Sequence, residues 1–279
     1  MISNWADIAV RALLDASLVL AQVLVVNWLG MPFAAITLFA GVSAYAVALA
    51  LHFGLVAFGV AVALAALMLI AFIGLVDVLP QDSYLLLTLA ALGFTGAVAS
   101  GSATLGGQLG MSSISKVLVA QDPLPFLLCA VPVFLLAFGA VWMLGRSQLG
   151  MASNLARLAR LEKQAVPLVP MKSLTKVLLS VAFLLAVSSG ALQGLYTGRV
   201  DPNVFRIENA IPVLVATLAG GRNHWRAALV AVGFFIFPDL FADLIGYQRS
   251  ALAQFREIAL GILIMIVAGR QWARSEARQ

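Results

Sequence analysis

Few residues in this chain are able to do chemistry, and they are scattered. There are two histidines, His52 and His224, far apart in sequence, and one cysteine, Cys129. One cysteine excludes an intramolecular disulfide and a cysteine metal cluster. A serine nucleophile at Ser100 or Ser102 would need a histidine base. His52 is the only histidine expected on the same face, and its position reads as that of an interface residue at a helix end. No His-x-x-x-His pair, Walker phosphate loop or Gly-x-Ser-x-Gly elbow occurs. The expectation is a non-catalytic chain without a metal site.

Acidic residues within apolar segments are the next candidates, because ionisable groups in a membrane mark functional sites. Asp77 falls near the end of an apolar stretch. Glu208 opens another, where it is equally placed to cap a helix N-terminus. Glu257 adjoins Arg256 near a third stretch, as expected for pairing or snorkelling. None of these falls at a midplane. An ion-coupled carrier normally needs such a site, so the expectation is a pore energised by other means.

The polar stretch 145–173 carries Arg146, Arg157, Arg160, Lys163 and Lys172. Leu155, Leu158 and Leu161 recur every three residues, with Arg157, Arg160 and Lys163 on another face. Ser153 or Asn154 is placed to cap a short amphipathic helix there. Such a helix either lies on anionic lipid or docks in the groove of a soluble partner. Residues 100–113, Ser-Gly-Ser-Ala-Thr-Leu-Gly-Gly-Gln-Leu-Gly-Met-Ser-Ser, are too small and polar for lipid-exposed helix. They read as irregular backbone: an exposed loop, or an outer gate or docking surface. Gly190, Gly194 and Gly198 are spaced for close helix packing.

The elements that hold these residues follow from composition. Of 279 residues, 62% are apolar and 10% charged, and the mean hydropathy is +1.03. Soluble domains carry about a quarter charged residues. The chain therefore cannot cover a soluble shell, which excludes a water-soluble enzyme and a soluble nucleic-acid binder. The fold class is all-α, a polytopic membrane helical bundle. A crossing helix needs about 20 apolar residues. Spans are expected near Ile8–Leu29, Phe33–Leu51, Phe53–Leu79, Leu85–Ser100, Leu124–Leu144, Leu174–Leu195, Ile207–Ala219, Ala227–Phe241 and Phe255–Gly269, about nine in all, with eight or ten as alternatives. Pro132, Pro212 and Pro238 fall inside them and should bend their helices. The N-terminus carries Asp7, Arg11 and Asp15 where a signal peptide would be apolar, so it reads as the first span.

Basic residues in 145–173, Arg222 and Arg226 between the seventh and eighth spans, and Arg270, Arg274 and Arg278 in the tail assign those regions to the cytoplasm. The C-terminus is then inside and the N-terminus outside. Trp5, Trp28, Trp142, Trp225 and Trp272 all fall at span ends, where indoles settle at interfaces. No linker divides residues 1–279, which read as one transmembrane domain.

The chain also resembles a known family. Gly190-Ala191-Leu192, then Gly198, Val200, Pro202 and Phe205, then Gly220-Gly221 are similar to the Gly-Ala-Leu, Gly-x-Val-x-Pro-x-x-Phe and Gly-Gly pattern of branched-chain amino acid permeases of ABC importers, the M-type subunit in particular. Phe39–Tyr45, Tyr84 with Thr88-Leu89, Gly106-Gly107-x-x-Gly110 and Ser147-x-x-Gly150 resemble further family segments in the same order. The sequence departs from the family at Gly30–Ile36, where a polar Gly-Gln-Leu-Ser-Leu-Gly-His is replaced. In the coupling segment, Gly150, Ala152 and Arg157 match.

The resemblance implies an inner-membrane permease subunit of a bacterial ABC importer. It implies ATPase coupling at Gly150, Ala152, Arg157, Arg160 and Glu162, and a pathway or gate at Gly41, Tyr45, Gly106, Gly107, Gly110, Glu208, Gly220 and Gly221. The implied partners are a second homologous permease, two cytoplasmic ATPase subunits that carry ATP and Mg, and an extracytoplasmic substrate-binding protein. This chain itself would hold no cofactor, contact membrane lipid and bind no nucleic acid. The implied cargo is a branched-chain amino acid, urea or a short amide. The alternatives are a stand-alone secondary carrier or channel, and a non-transporting scaffold subunit.

Overall fold

The structure, a computed structural model, describes residues 2–31, 33–76, 78, 83–112, 123–161, 171–245, 261–262 and 265. Helix makes up about 90% of it, as the all-α reading requires. The chain opens with α1 (Ile2–Val23), continued by a π-helical turn at Leu24–Trp28, then α2 (Ala35–Phe53), α3 (Leu55–Val76), α4 (Ser83–Gly101) and α5 (Leu124–Arg146). It goes on with α6 (Gln148–Leu161), α7 (Met171–Thr197), α8 (Ile207–Gly220) and α9 (His224–Ile245). Two dipeptide strands, β1 (Met111–Ser112) and β2 (Arg199–Val200), pair antiparallel.

Among the described residues, five helical stretches are long and apolar enough to cross a membrane: Trp5–Trp28, Ala35–Phe53, Ser83–Gly101, Leu124–Arg146 and Ser173–Thr197. Gly59–Leu75 and Ile207–Gly220 are shorter apolar helices. At 14 residues, α8 is about 21 Å long, less than the roughly 30 Å of hydrocarbon. Pro132, Pro212 and Pro238 lie inside α5, α8 and α9. The expected span at Phe255–Gly269 lies outside the described residues, apart from helical backbone at 261–262 and 265.

α1 is the centre of the bundle. From Ala16 to Leu29 every side chain is buried, enclosed by a core that extends over α2, α7, α8 and α9. Burial on all sides is what an all-round apolar helix requires. Close packing elsewhere depends on glycine. A Cβ on Gly190 would collide with the Ala40 carbonyl oxygen, and one on Gly194 would lie 3.0 Å from the Ala44 Cα. α7 therefore lies backbone to backbone on α2, as the four-residue spacing predicts. Gly198 does not extend that contact. Its φ of +65° starts the turn into β2.

One local expectation is corrected. Neither Ser153 nor Asn154 caps α6, which begins earlier, at Gln148. The Ser153 hydroxyl instead donates to the Gly150 carbonyl one turn back, at 2.8 Å. Beyond Gly101, residues 102–110 are an irregular, largely exposed loop, as expected. α4 continues to Gly101, and two 3-10 turns, Ala103–Leu105 and Gly107–Leu109, lead into β1.

Candidate functional site

The described polar and glycine-rich features gather in three places. The first is at the end of the bundle where α7 finishes. Phe205, in the 3-10 turn Pro202–Phe205, is buried and stacks on Tyr45 of α2, with centroids 5.6 Å apart and ring planes 15° apart. Glycines make room for it: a Cβ on Gly41 would lie 2.6 Å from its ring, and one on Gly96 would lie 3.3 Å from its Cβ. The Asp201 carboxylate caps the turn by accepting from the Asn203 N–H.

Gly106, Gly107 and Gly110 all have positive φ, which only glycine adopts freely. A Cβ on Gly110 would collide with the Val200 carbonyl, so this loop lies directly on β2. The Arg199 guanidinium closes it by donating to the Leu109 carbonyl at 3.0 Å. Gly41, Tyr45, Gly106, Gly107 and Gly110 thus belong to one assembly with Gly198, Val200, Pro202 and Phe205. The Tyr45 hydroxyl is buried there with no partner among the described residues.

The second place is the opposite end, where α6 meets the bundle. A Cβ on Gly150 would lie 2.5 Å from the Leu144 carbonyl, so the turn from α5 into α6 is tight. Leu149 and Ala152 seat α6 on the main core. Arg222, between α8 and α9, donates to the Gly150 carbonyl at 2.9 Å and the Ser153 hydroxyl at 3.1 Å. Its guanidinium also lies 5.8 Å from the centroid of the Trp28 ring. Trp28 also covers Gly145, where a Cβ would be 3.3 Å from the ring.

Asn27 beside it donates to the Thr217 and Gly221 carbonyls at 2.7 and 2.8 Å, which caps the C-terminus of α8. Gly220 packs against Ala227, and Gly221, with φ +68°, turns the chain into α9. His224, ahead of the apolar stretch that starts at Ala227, has its pKa lowered by burial and, secondarily, by the Arg146 charge.

Trp28 corrects an expectation. It is 2% exposed and anchors this junction rather than an interface with lipid. Trp5 and Trp225 are exposed at helix starts, as interfacial residues would be. Trp142 lies under the Arg146 guanidinium at 4.5 Å. Trp272 lies outside the described residues.

The third place was missed by sequence reasoning. Asp7, Arg11 and Asp15 lie four residues apart along α1, on the side toward α7. Tyr196 donates to Asp7, and Arg11 pairs with the same carboxylate at 3.1 Å. Gln193 donates to Asp15 at 3.4 Å, and Ser189 to the Leu14 carbonyl at 2.8 Å. Leu14 and Ser189 are thus level in two antiparallel helices. Asp15 lies about 12 Å below the Asp7 level, at 1.5 Å per residue, inside the hydrocarbon depth of a crossing helix. Asp15 is therefore an acidic residue inside a helical stretch long and apolar enough to cross a membrane, and it is not among the acidic candidates that the sequence singled out. The i, i+4, i+8 spacing of charges in the first span is the signal that could have found it.

The other acidic candidates are placed differently. Glu208 is exposed in the first turn of α8, 3.8 Å from Arg206. Asp77 and Glu257 lie outside the described residues, as does Glu162. Arg157 and Arg160 are on α6, and only their backbone is described. The Ser100 hydroxyl donates back to the Gly96 carbonyl, Ser102 bonds to Thr104, and His52 is exposed at the end of α2. Comparison with protein-family models, curated proteins and solved structures finds no match.

Proposed function

We propose that this chain is the membrane-spanning permease subunit of a bacterial ABC importer. It crosses the membrane about nine times, with its C-terminus in the cytoplasm and its N-terminus outside. It pairs with a second permease, takes a small solute from an external binding protein, and is driven by two cytoplasmic ATPases. The solute is of the branched-chain amino acid, urea or short-amide class. α6, on the basic end of the bundle, is the coupling helix, with Gly150, Ala152, Arg157, Arg160 and Glu162 as its coupling residues. The Gly106–Gly110 loop and the Phe205–Tyr45 stack form the outer gate region.

The observation that carries this reading is the seating of α6. A short helix that carries Arg157 and Arg160 is fixed to the bundle through Gly150, Ser153 and Arg222, with Trp28 beneath the guanidinium. A helix resting on lipid has no need of such a mount, whereas one that passes a push from a soluble motor does. The test is purification of the tagged chain from its native membrane in mild detergent, with mass identification of its companions. A second permease and ATPase subunits are expected. A lone chain that crosslinking does not extend would overturn the reading.

Asp15 favours a second reading, a stand-alone ion-coupled carrier. That reading expects gradient-driven uptake by the purified chain alone in proteoliposomes, lost in Asp15→Asn.

A further inference from the structure

We propose that the face formed by Asp7, Arg11 and Asp15 of α1 with Gln193 and Tyr196 of α7 is the wall of a water-filled path that reaches membrane depth. α1 meets its surroundings unevenly. Between Trp5 and Leu29, the side chains that are not buried are Trp5, Asp7, Ala9, Arg11, Leu13 and Asp15. Among the described residues the central helix therefore reaches the surface along its first half, and there three of six side chains are ionisable. The Arg11 side chain is 54% exposed and that of Asp7 29%.

The lipid-facing alternative looks different in the same molecule. α5 exposes Leu124, Leu128, Leu135 and Leu136, a run of aliphatic side chains without a charge among them. Charged groups at membrane depth face protein or a water-filled cavity because hydrocarbon solvates them poorly. Among the described residues this face stays partly open, with Arg11 exposed and Asp7 and Asp15 part-exposed, and a polar medium suits what is left uncovered. Side chains arranged in a continuous line from the helix end inward suit water, which can follow that line from the surface. The path fits hydrophilic solutes and excludes apolar ones.

This inference rests on α1 crossing a membrane and not on an ATPase partner, so it stands or falls apart from the proposed function. The test is thiol accessibility in native membranes. Cysteines replace Asp7, Arg11, Asp15 and, on the facing helix, Gln193, one at a time, in a Cys129→Ala background. Leu135→Cys on α5 is the lipid-facing control. A charged, membrane-impermeant thiosulfonate reacts only with thiolate, which forms in water and not in hydrocarbon.

Arg11→Cys and Asp15→Cys are expected to react about a hundredfold faster than Leu135→Cys, the ratio that a thiol pKa about two units higher would impose. Gln193→Cys reports the same depth should Asp15→Cys fail to accumulate. Reaction confined to Asp7→Cys overturns the proposal, because the water would then end at the surface. Uniformly slow reaction overturns it as well, by showing the face covered by protein or lipid. Equally fast reaction at Leu135→Cys would remove the premise that these helices lie in a membrane.

Discussion

Arg222→Ala should release α6 from the bundle while leaving the bundle folded. The side chain donates to the Gly150 carbonyl at 2.9 Å and the Ser153 hydroxyl at 3.1 Å, and lies over Trp28. A hydrogen bond from a charged donor is worth about 1.5 kcal/mol or more, and a partly buried cation–π contact about 0.5–1 kcal/mol. The Gly150 carbonyl keeps the Ser153 hydroxyl as a donor, so no buried acceptor is stranded and the larger penalty for an unpaired group does not apply. The loss is then about 2–3 kcal/mol, which is roughly a 30- to 150-fold rise in the undocked population. Amide hydrogen exchange across 148–161 reads this directly. Exchange there should quicken by that factor in Arg222→Ala. It should quicken less in Arg222→Lys, which keeps the charge and loses the fork. Unchanged protection of α6 in Arg222→Ala would refute the reasoning.

Other substitutions test other joints. Gly190→Leu should abolish accumulation of folded protein, because its Cβ would collide with a backbone oxygen of α2. Gly139→Leu, at a position with open space, should accumulate normally in the same membrane fractions. Phe205→Ala should cost about 3–5 kcal/mol and lower the thermal midpoint in detergent, since the ring is 3% exposed and fills the space left by two glycines. An unchanged midpoint would show the Tyr45 stack to be incidental. Arg157→Glu should block ATP-driven uptake while the protein stays folded, and unchanged uptake would remove α6 from the coupling path.

The bundle is legible in the sequence because apolar runs of the right length leave few alternatives. The expected limits of the second, fourth, fifth, sixth and seventh spans differ from α2, α4, α5, α7 and α8 by three residues or fewer at each end. The approach of α7 to α2 is legible in Gly190 and Gly194, since the spacing of two small residues is a local property. What escapes are contacts that depend on the folded whole. Arg222 reads only as a charge in a basic loop, and nothing nearby in sequence marks its bonds to the distant Gly150 and Ser153. The π turn that brings Asn27 to the end of α8 has no sequence signature comparable to a capping box. Ser153 misleads because the same hydroxyl can cap a helix or bond one turn back within it. Asp15 belongs to a charged stripe, but along the sequence it reads as a break in an apolar run.

The coupling role of α6 is the central claim, and one crosslinking measurement reaches it most directly. Met151 is exposed on α6, next to the seated Gly150. A photoreactive residue placed there, illuminated in native membranes, should form an adduct with a cytoplasmic ATPase subunit, and the yield should change when ATP is supplied. Adducts with lipid alone, indifferent to ATP, would contradict the claim.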